Sequence, residues 1–288
     1  MNWIGLTAFY GVASGVRNLL KKEALKKSPL LEVLFLYTLS SFIFIAPVSL
    51  IPDPGAMILD NGIYYFYLLL KSFVIFIAWI FAFKAMSKLP ISLFGVLETS
   101  RVIFATILGV FLVNETMSKN RYAGLFLVMA GLILVNIRGE NKDSRKASFI
   151  PIVCVITASI LNSISGTMDK LLLRTGELNS AQLQFWFMLF TALLYFIYIL
   201  ITKTKIHFST IIKNPCIILM GILLLLGDRA LFMANESKDS LVTVMILLQQ
   251  LSLVVTIILG KLFFREKHII YRLFCAALVI SGIVISTL

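Results

Sequence analysis

The sequence predicts an all-α polytopic membrane protein of ten transmembrane helices, arranged as a five-plus-five inverted repeat. Three observations predict it: an extreme apolar composition, ten apolar runs of spanning length, and one register that superimposes the two halves. Of the 288 residues, 59% are hydrophobic and 14% charged, and the mean hydropathy is +0.97. Soluble globular chains run nearer ~45–50% apolar and ~25% charged. A span needs about 20 mostly apolar residues, so ten spans consume most of the chain. No length is left for an ectodomain, a nucleotide-binding domain or a peripheral catalytic domain. The apolar content also excludes disorder.

Hydropathy places the spans at 2–20, 30–51, 63–86, 91–113, 121–137, 149–169, 181–202, 215–235, 240–263 and 271–288. The first run lacks a basic leader and a small-residue cleavage site, and Arg17 interrupts it, so it reads as a retained span and not a signal peptide. The charge run Lys21–Ser28 ends it, and Pro52-Asp53-Pro54-Gly55 marks a turn after the second span. Arg138–Ser148 is the longest polar stretch and divides the chain near its middle. The expected organisation is a first five-helix unit over 1–140, a basic linker over 141–148 and a second unit over 149–288.

The net charge of +12 does not call for nucleic acid, because polytopic proteins gather Lys and Arg in their cytoplasmic loops. Alternate loops are strongly unequal. One set holds Lys21 to Lys27, Lys84 and Lys88, the basic linker, Lys203 to Lys213, and Lys261 to Arg272. The other holds only Lys119, Arg121, Lys170, Arg174 and Lys238. The richer set is expected on the cytoplasmic side, which puts both termini outside, in a bacterial inner membrane. Arg17, Lys71, Arg101 and Arg229 are left within spans. The cysteines Cys154, Cys216 and Cys275 are scattered through apolar runs, and neither His207 nor His268 has metal-ligand spacing. No metal or cofactor is expected.

A constant shift of 151 residues pairs Ser14 with Ser165, Gly15 with Gly166, Phe81 with Phe232, Gly109 with Gly260, Glu115 with Glu266, Arg121 with Arg272 and Gly131 with Gly282. Asn18 with Asp169, Lys84 with Asn235 and Glu98 with Gln249 are looser pairs on the same shift. Five spans per half is an odd number, so the second copy must cross the membrane in the opposite direction. Inverted repeats are the common architecture of secondary transporters, with the substrate near the midplane between the copies.

At the end of the first half, FLVNETMSKNRYAGLFLVMAGLILVN sets Glu115 after the fourth span, then Gly124 and Gly131 along the fifth. In the second half Glu266 and Gly282 take the matching places, while Cys275 stands where the first glycine would be. On these residues the chain resembles the drug/metabolite transporter superfamily, of the EamA-like ten-span type, over essentially its whole length. The usual early Trp is replaced near Tyr10, and the Arg often seen in the second span is missing. The resemblance implies a secondary carrier for small metabolites, often an exporter, and leaves the metabolite open.

A charge at the bilayer centre costs about 2.5–3.5 kcal/mol on insertion scales, so it persists where it pairs or faces a wet cavity. The expected substrate site lies between the halves on spans 3, 4, 8 and 9, and draws on Lys71, Trp79, Glu98, Arg101, Asp228, Arg229, Gln249 and Gln250. Its excess of cations suits a carboxylate or phosphate, and its acids suit an amine, so an amino acid or other small organic acid is favoured. The same charges would also serve as ion pairs that lock helices, Glu98 with Arg101 and Asp228 with Arg229 or Lys71. Burial disfavours a charged carboxylate and a nearby guanidinium favours it. On that balance Glu98 is the first candidate for proton coupling and Asp228 the second. Gly11-x-x-x-Gly15 suits a tight helix crossing.

No G-x-x-x-x-G-K-[ST], G-x-S-x-G or H-E-x-x-H occurs, which argues against an ATP-driven pump and the common hydrolases. An enzyme is not expected. The rival reading is a flippase for a lipid-linked sugar or phosphate, using the basic groups Lys71, Arg101 and Arg229. The expected partners are a small metabolite, a proton or other gradient, and the bilayer. A monomer is expected, because the fused halves already supply the two-fold pairing.

Overall fold

The structure, a computed structural model, describes residues 2–51, 55–89, 91–98, 100–114, 117–138 and 149–264, together with 271, 274, 277, 278, 280–282, 284 and 285. The linker 141–148, Pro52 to Pro54, Glu115, Glu266, Arg272, Cys275 and much of the expected tenth span lie outside the described residues. Within them the chain is α-helical, with no strand. The helices are α1 (Trp3–Lys27), α2 (Leu30–Leu50), α3 (Ile63–Lys88), α4 (Ile91–Glu98), α5 (Ser100–Leu112), α6 (Lys119–Arg138), α7 (Phe149–Arg174), α8 (Ser180–Thr202), α9 (Ser209–Lys213), α10 (Cys216–Glu236), α11 (Val242–Gln249) and α12 (Leu251–Phe264). Among the described residues, six stretches are long and apolar enough to cross a membrane: Leu30–Leu50, Ile63–Lys88, Phe149–Arg174, Ser180–Thr202, Cys216–Glu236 and Val242–Leu259.

Polar side chains sit inside these helices without breaking them. The hydroxyls of Thr7, Ser41, Ser72, Thr167 and Thr191 each donate to the carbonyl one turn back. A hydroxyl satisfied within its own helix costs little in an apolar setting. Large apolar side chains such as Phe9, Ile43, Phe66, Phe111 and Ile201 point outward, as a lipid-facing surface requires.

α1 and α7 run past their expected ends, to Lys27 and Arg174. Hydropathy stops a span at the first charges, but here those charges have partners inside the bundle. Lys22 Nζ donates to the carbonyls of Met86 at 2.6 Å and Leu89 at 2.9 Å, at the end of α3. Lys170 Nζ donates to the carbonyls of Asn235 and Ser237 and to Ser240 Oγ, at the end of α10. Each lysine reaches a carbonyl in the last turn of a helix, Met86 or Asn235, where the helix end leaves acceptors short of partners, and both complement the negative end of a helix dipole.

The halves interlock. α1 packs against α10, α11 and α12, whereas α7 packs against α3 and α5. The end of α3 lies by the last turns of α1, through Lys22. The end of α10 lies by the first turns of α1, where Leu231 and Ala234 cluster with Tyr10, Trp3 and Leu6. α3 and α10 therefore end at opposite ends of the bundle.

The expected ninth span is two helical segments: α11 ends at Gln249 and α12 begins at Leu251. In the expected fourth span α4 and α5 flank Thr99, which lies outside the described residues. At the break in the ninth span the cause is visible. Gln250 Nε2 donates to the carbonyl of Ile246 at 3.0 Å, the acceptor its own backbone N–H would take in an α-helix. That N–H bonds to Leu247 instead, and the N–H of Leu253 bonds to the carbonyl of Gln250. A side chain inserted into the ladder tightens one turn, which is a recognised origin of a helix kink.

Gly15 marks a close crossing. A Cβ there would lie 2.7 Å from the carbonyl oxygen of Ser252 and 2.7 Å from Val255 Cβ. The small-residue stripe on α1 thus lets the backbones of α1 and α12 meet.

Candidate functional site

Three adjoining chambers lie where α1, α3, α4, α5, α7, α10, α11 and α12 converge. Their empty volumes, space open to solvent included, are about 790, 580 and 340 Å³. The largest is bounded by Arg17, Asn18, Lys21, Lys71, Trp79, Met86, Glu98, Arg101, Ser165, Asp169, Phe187 and Asp228. The second shares Tyr10, Ser14, Asn18, Phe94, Glu98 and Arg101 with it, and adds Ile91, Gln249, Gln250 and Thr256. The smallest is bounded by Arg101, Ala105, Ser163, Gly166, Thr167, Asn235, Val242 and Gln249. Among the described residues, Arg101 alone borders all three.

The two larger chambers reach Lys21, Met86 and Ile91, at the end of the bundle where α3 passes to α4. The smallest reaches Asn235 and Val242, at the opposite end where α10 passes to α11. Arg101 and Gln249 stand between these approaches.

At the chambers, among the described residues, two buried ion pairs cross from one half to the other. Arg17 Nη1 meets Asp228 Oδ1 at 2.9 Å, and Lys71 Nζ meets Asp169 Oδ1 at 2.9 Å. Lys71 also donates to Ser165 Oγ at 2.8 Å, and its Nζ lies 4.1 Å from the centre of the Phe187 ring. All four residues are buried. Breaking such a pair from one side leaves a lone charge in low dielectric, which costs far more than the intact pair contributes.

Glu98 and Arg101 behave differently. Among the described residues neither side chain has an ion-pair or hydrogen-bond partner, and Arg101 Nε is buried and unpartnered. Their backbones are held instead: Ser159 Oγ and Ser163 Oγ on α7 donate to the carbonyls of Glu98 and Arg101, at 3.4 and 3.1 Å. These hydroxyls hold α4 and α5 against α7. Arg101 has room because Gly166 faces it, with Arg101 Nη2 3.6 Å from where a Cβ would stand.

Of the residues singled out in the sequence, Lys71, Trp79, Glu98, Arg101, Asp228, Gln249 and Gln250 border the chambers. Gln249 and Gln250 are each 8% exposed, and Gln249 Oε1 has no partner. Trp79 packs against Tyr37 and Phe187, with ring centres 5.6 and 6.5 Å apart. Arg229 does not border the chambers. It follows Asp228 on α10, about 100° round the helix, and its guanidinium reaches Gln184 on α8 at 3.5 Å. The ion pairs also differ from those expected: Asp228 takes Arg17, not Arg229 or Lys71, and Glu98 does not pair with Arg101.

Sequence reasoning missed Asp169 and Lys21 as site residues. Both lie where apolar runs end, so they read as a boundary and a loop charge. The shift of 151 residues carried a signal for one of them, because it pairs Asp169 with Asn18, another chamber residue.

An all-helical bundle with spans of membrane length and charged chambers inside is the architecture of a multi-pass membrane protein. The chain belongs to the EamA-like transporter family, whose sequence model matches residues 1–137 and 149–288. It is thus a membrane transporter of the drug/metabolite type, a class that moves solutes and does not transform them. No curated protein matches its sequence. Among solved structures, one described as the crystal structure of a protein superposes with a TM-score of 0.75, covering 99% of this chain and 96% of its own, at 14% identity. That likeness speaks to the fold alone.

Proposed function

We propose that this chain is a secondary-active carrier, an exporter or a proton-coupled carrier, for an amino acid or other small organic acid. Its ten spans form two five-helix units, 1–140 and 149–288, joined by the linker 141–148 and inserted in opposite directions. Both termini lie outside a bacterial inner membrane, and one copy suffices. The observation that carries the reading is the unpaired Glu98 and Arg101 at the meeting point of chambers that approach from both ends of the bundle. An unpaired charge inside a spanning bundle is costly and is expected to serve a solute pathway.

The opposite ends of α3 and α10 support the inverted arrangement. Alternating access follows from it, since two halves of one design can exchange conformations and each exchange opens the other end. The break at Gln250 is the natural hinge. Substrate sits at Arg101 and Glu98, with Trp79, Gln249 and Gln250 at its sides. The Arg17–Asp228 and Lys71–Asp169 pairs hold the halves together.

Glu98 is the proposed proton carrier, with Asp228 engaged by Arg17. Glu98→Gln in proteoliposomes is expected to abolish uptake driven by a pH gradient while substrate exchange is partly retained. Gradient-driven uptake at the wild-type rate in that variant would remove Glu98 from the role.

A further inference from the structure

The charges around the chambers do not cancel pairwise. Arg17 is matched by Asp228, and Lys71 by Asp169. Among the described residues around the chambers, Lys21, Arg101 and Glu98 remain. The hydrogen-bond contact described for Lys21 Nζ is a long one of 3.4 Å to Asn18 Oδ1, and Nζ lies 5.5 Å from the centre of the Phe83 ring. The carboxylate of Glu98 feels Lys21, Arg101 and Arg17 through space, so the three unmatched groups share one field. They stand on α1, α4 and α5, and all border the largest chamber.

We infer that the substrate carries two anionic groups and one ammonium group, as an amino dicarboxylate does. This rests on the carrier reading above and narrows it. Arg101, at the junction of the chambers, receives one carboxylate. Lys21, a helical turn beyond Asn18 towards the wider end, receives the second. Glu98 receives the ammonium. Such a ligand leaves each unmatched group with one partner of opposite sign, which is what a low-dielectric site demands of a buried charge. A neutral amino acid leaves Lys21 without an anion. A dicarboxylate without an amine leaves Glu98 facing like charge, which is repulsive. The net charge of the ligand, one negative, equals the surplus of cations over acids among the unmatched groups.

Three ligands of one carbon skeleton test the count: glutamate, glutamine and glutarate, titrated into the purified full-length protein by thermal shift and by equilibrium binding. Wild type is expected to bind glutamate at least about tenfold more tightly than either analogue, the factor that corresponds to ~1.4 kcal/mol. Lys21→Gln should erase the preference for glutamate over glutamine. Glu98→Gln should erase the preference for glutamate over glutarate. Neither variant strips a partner from another described charge, so both are expected to melt near wild type. A wild type that binds glutamine or glutarate as tightly as glutamate overturns the count, as do variants that weaken all three ligands alike. If wild type binds none of the three, the count also falls. Counterflow of a mixed pool of labelled metabolites in the same preparation then decides the carrier reading separately: exchange of any solute preserves it, and no exchange removes both.

Discussion

Gly15 and Gly166 occupy equivalent places on α1 and α7, yet alanine should act on them with opposite sign. At Gly15 a Cβ would stand 2.7 Å from the carbonyl oxygen of Ser252 and 2.7 Å from Val255 Cβ. Carbon contacts are comfortable at about 3.5–4.0 Å, so α1 and α12 must part by close to 1 Å at their crossing. Overpacking of this kind costs about 1–3 kcal/mol, partly offset by the ~0.8–1.0 kcal/mol that alanine gains over glycine within a helix. The net loss is then roughly 1–2 kcal/mol. At Gly166 the only near neighbour is Arg101 Nη2 at 3.6 Å, an ordinary contact with a flexible group. Gly166→Ala should be neutral or stabilising by up to about 1 kcal/mol. Thermal unfolding of the two variants in the same detergent reads the difference, at about 2–4 °C per kcal/mol for domains somewhat smaller than this chain. Equal shifts for the two variants, or a larger loss at Gly166, would refute the close crossing of α1 and α12.

Other perturbations follow from the same contacts. Asp228→Asn leaves Arg17 buried without its anion and should cost about 3–5 kcal/mol, whereas adding Arg17→Met should recover most of the loss in a double-mutant cycle of melting temperatures. Lys170→Met orphans acceptors at the end of α10, at about 1–3 kcal/mol for a buried group left unsatisfied, and hydrogen exchange should rise first around Asn235 to Ser240. Gln250→Leu returns the Ile246 carbonyl to the backbone ladder. It should slow exchange across proteoliposome membranes more than it weakens substrate binding, and an unchanged rate would show that the break is not a hinge.

The helical bundle was legible because its signal is local. Twenty apolar residues in a row are visible to any window, and the shift of 151 residues needed only glycines and charges in one register. The identity of most chamber residues was legible for a related reason. Lys71, Glu98, Arg101 and Asp228 interrupt apolar runs, and the cost of such interruptions draws attention to them. Their partners were not legible. Arg17 and Asp228 are 211 residues apart, and nothing local says that Asp228 faces α1 while Arg229 faces α8. Lys22 and Lys170 looked like loop charges because hydropathy cannot see a lysine reaching the end of a neighbouring helix. Taking Lys21, Lys22 and Lys170 out of the loops leaves the inequality between the two sets of loops in the same direction. The division of the ninth span was hidden too, since it depends on Gln250 bonding backward, a geometry that a polar letter in a sequence does not specify.

The central claim is that solute passes between the halves by way of Arg101. Its most direct test is counterflow in proteoliposomes preloaded with unlabelled amino and organic acids, with the labelled pool outside, comparing wild type with Arg101→Ala at equal incorporation. Label should accumulate with wild type and fall by at least about tenfold in the variant, as expected when a buried charged partner of the solute is lost. Accumulation at the same rate in both would contradict the claim.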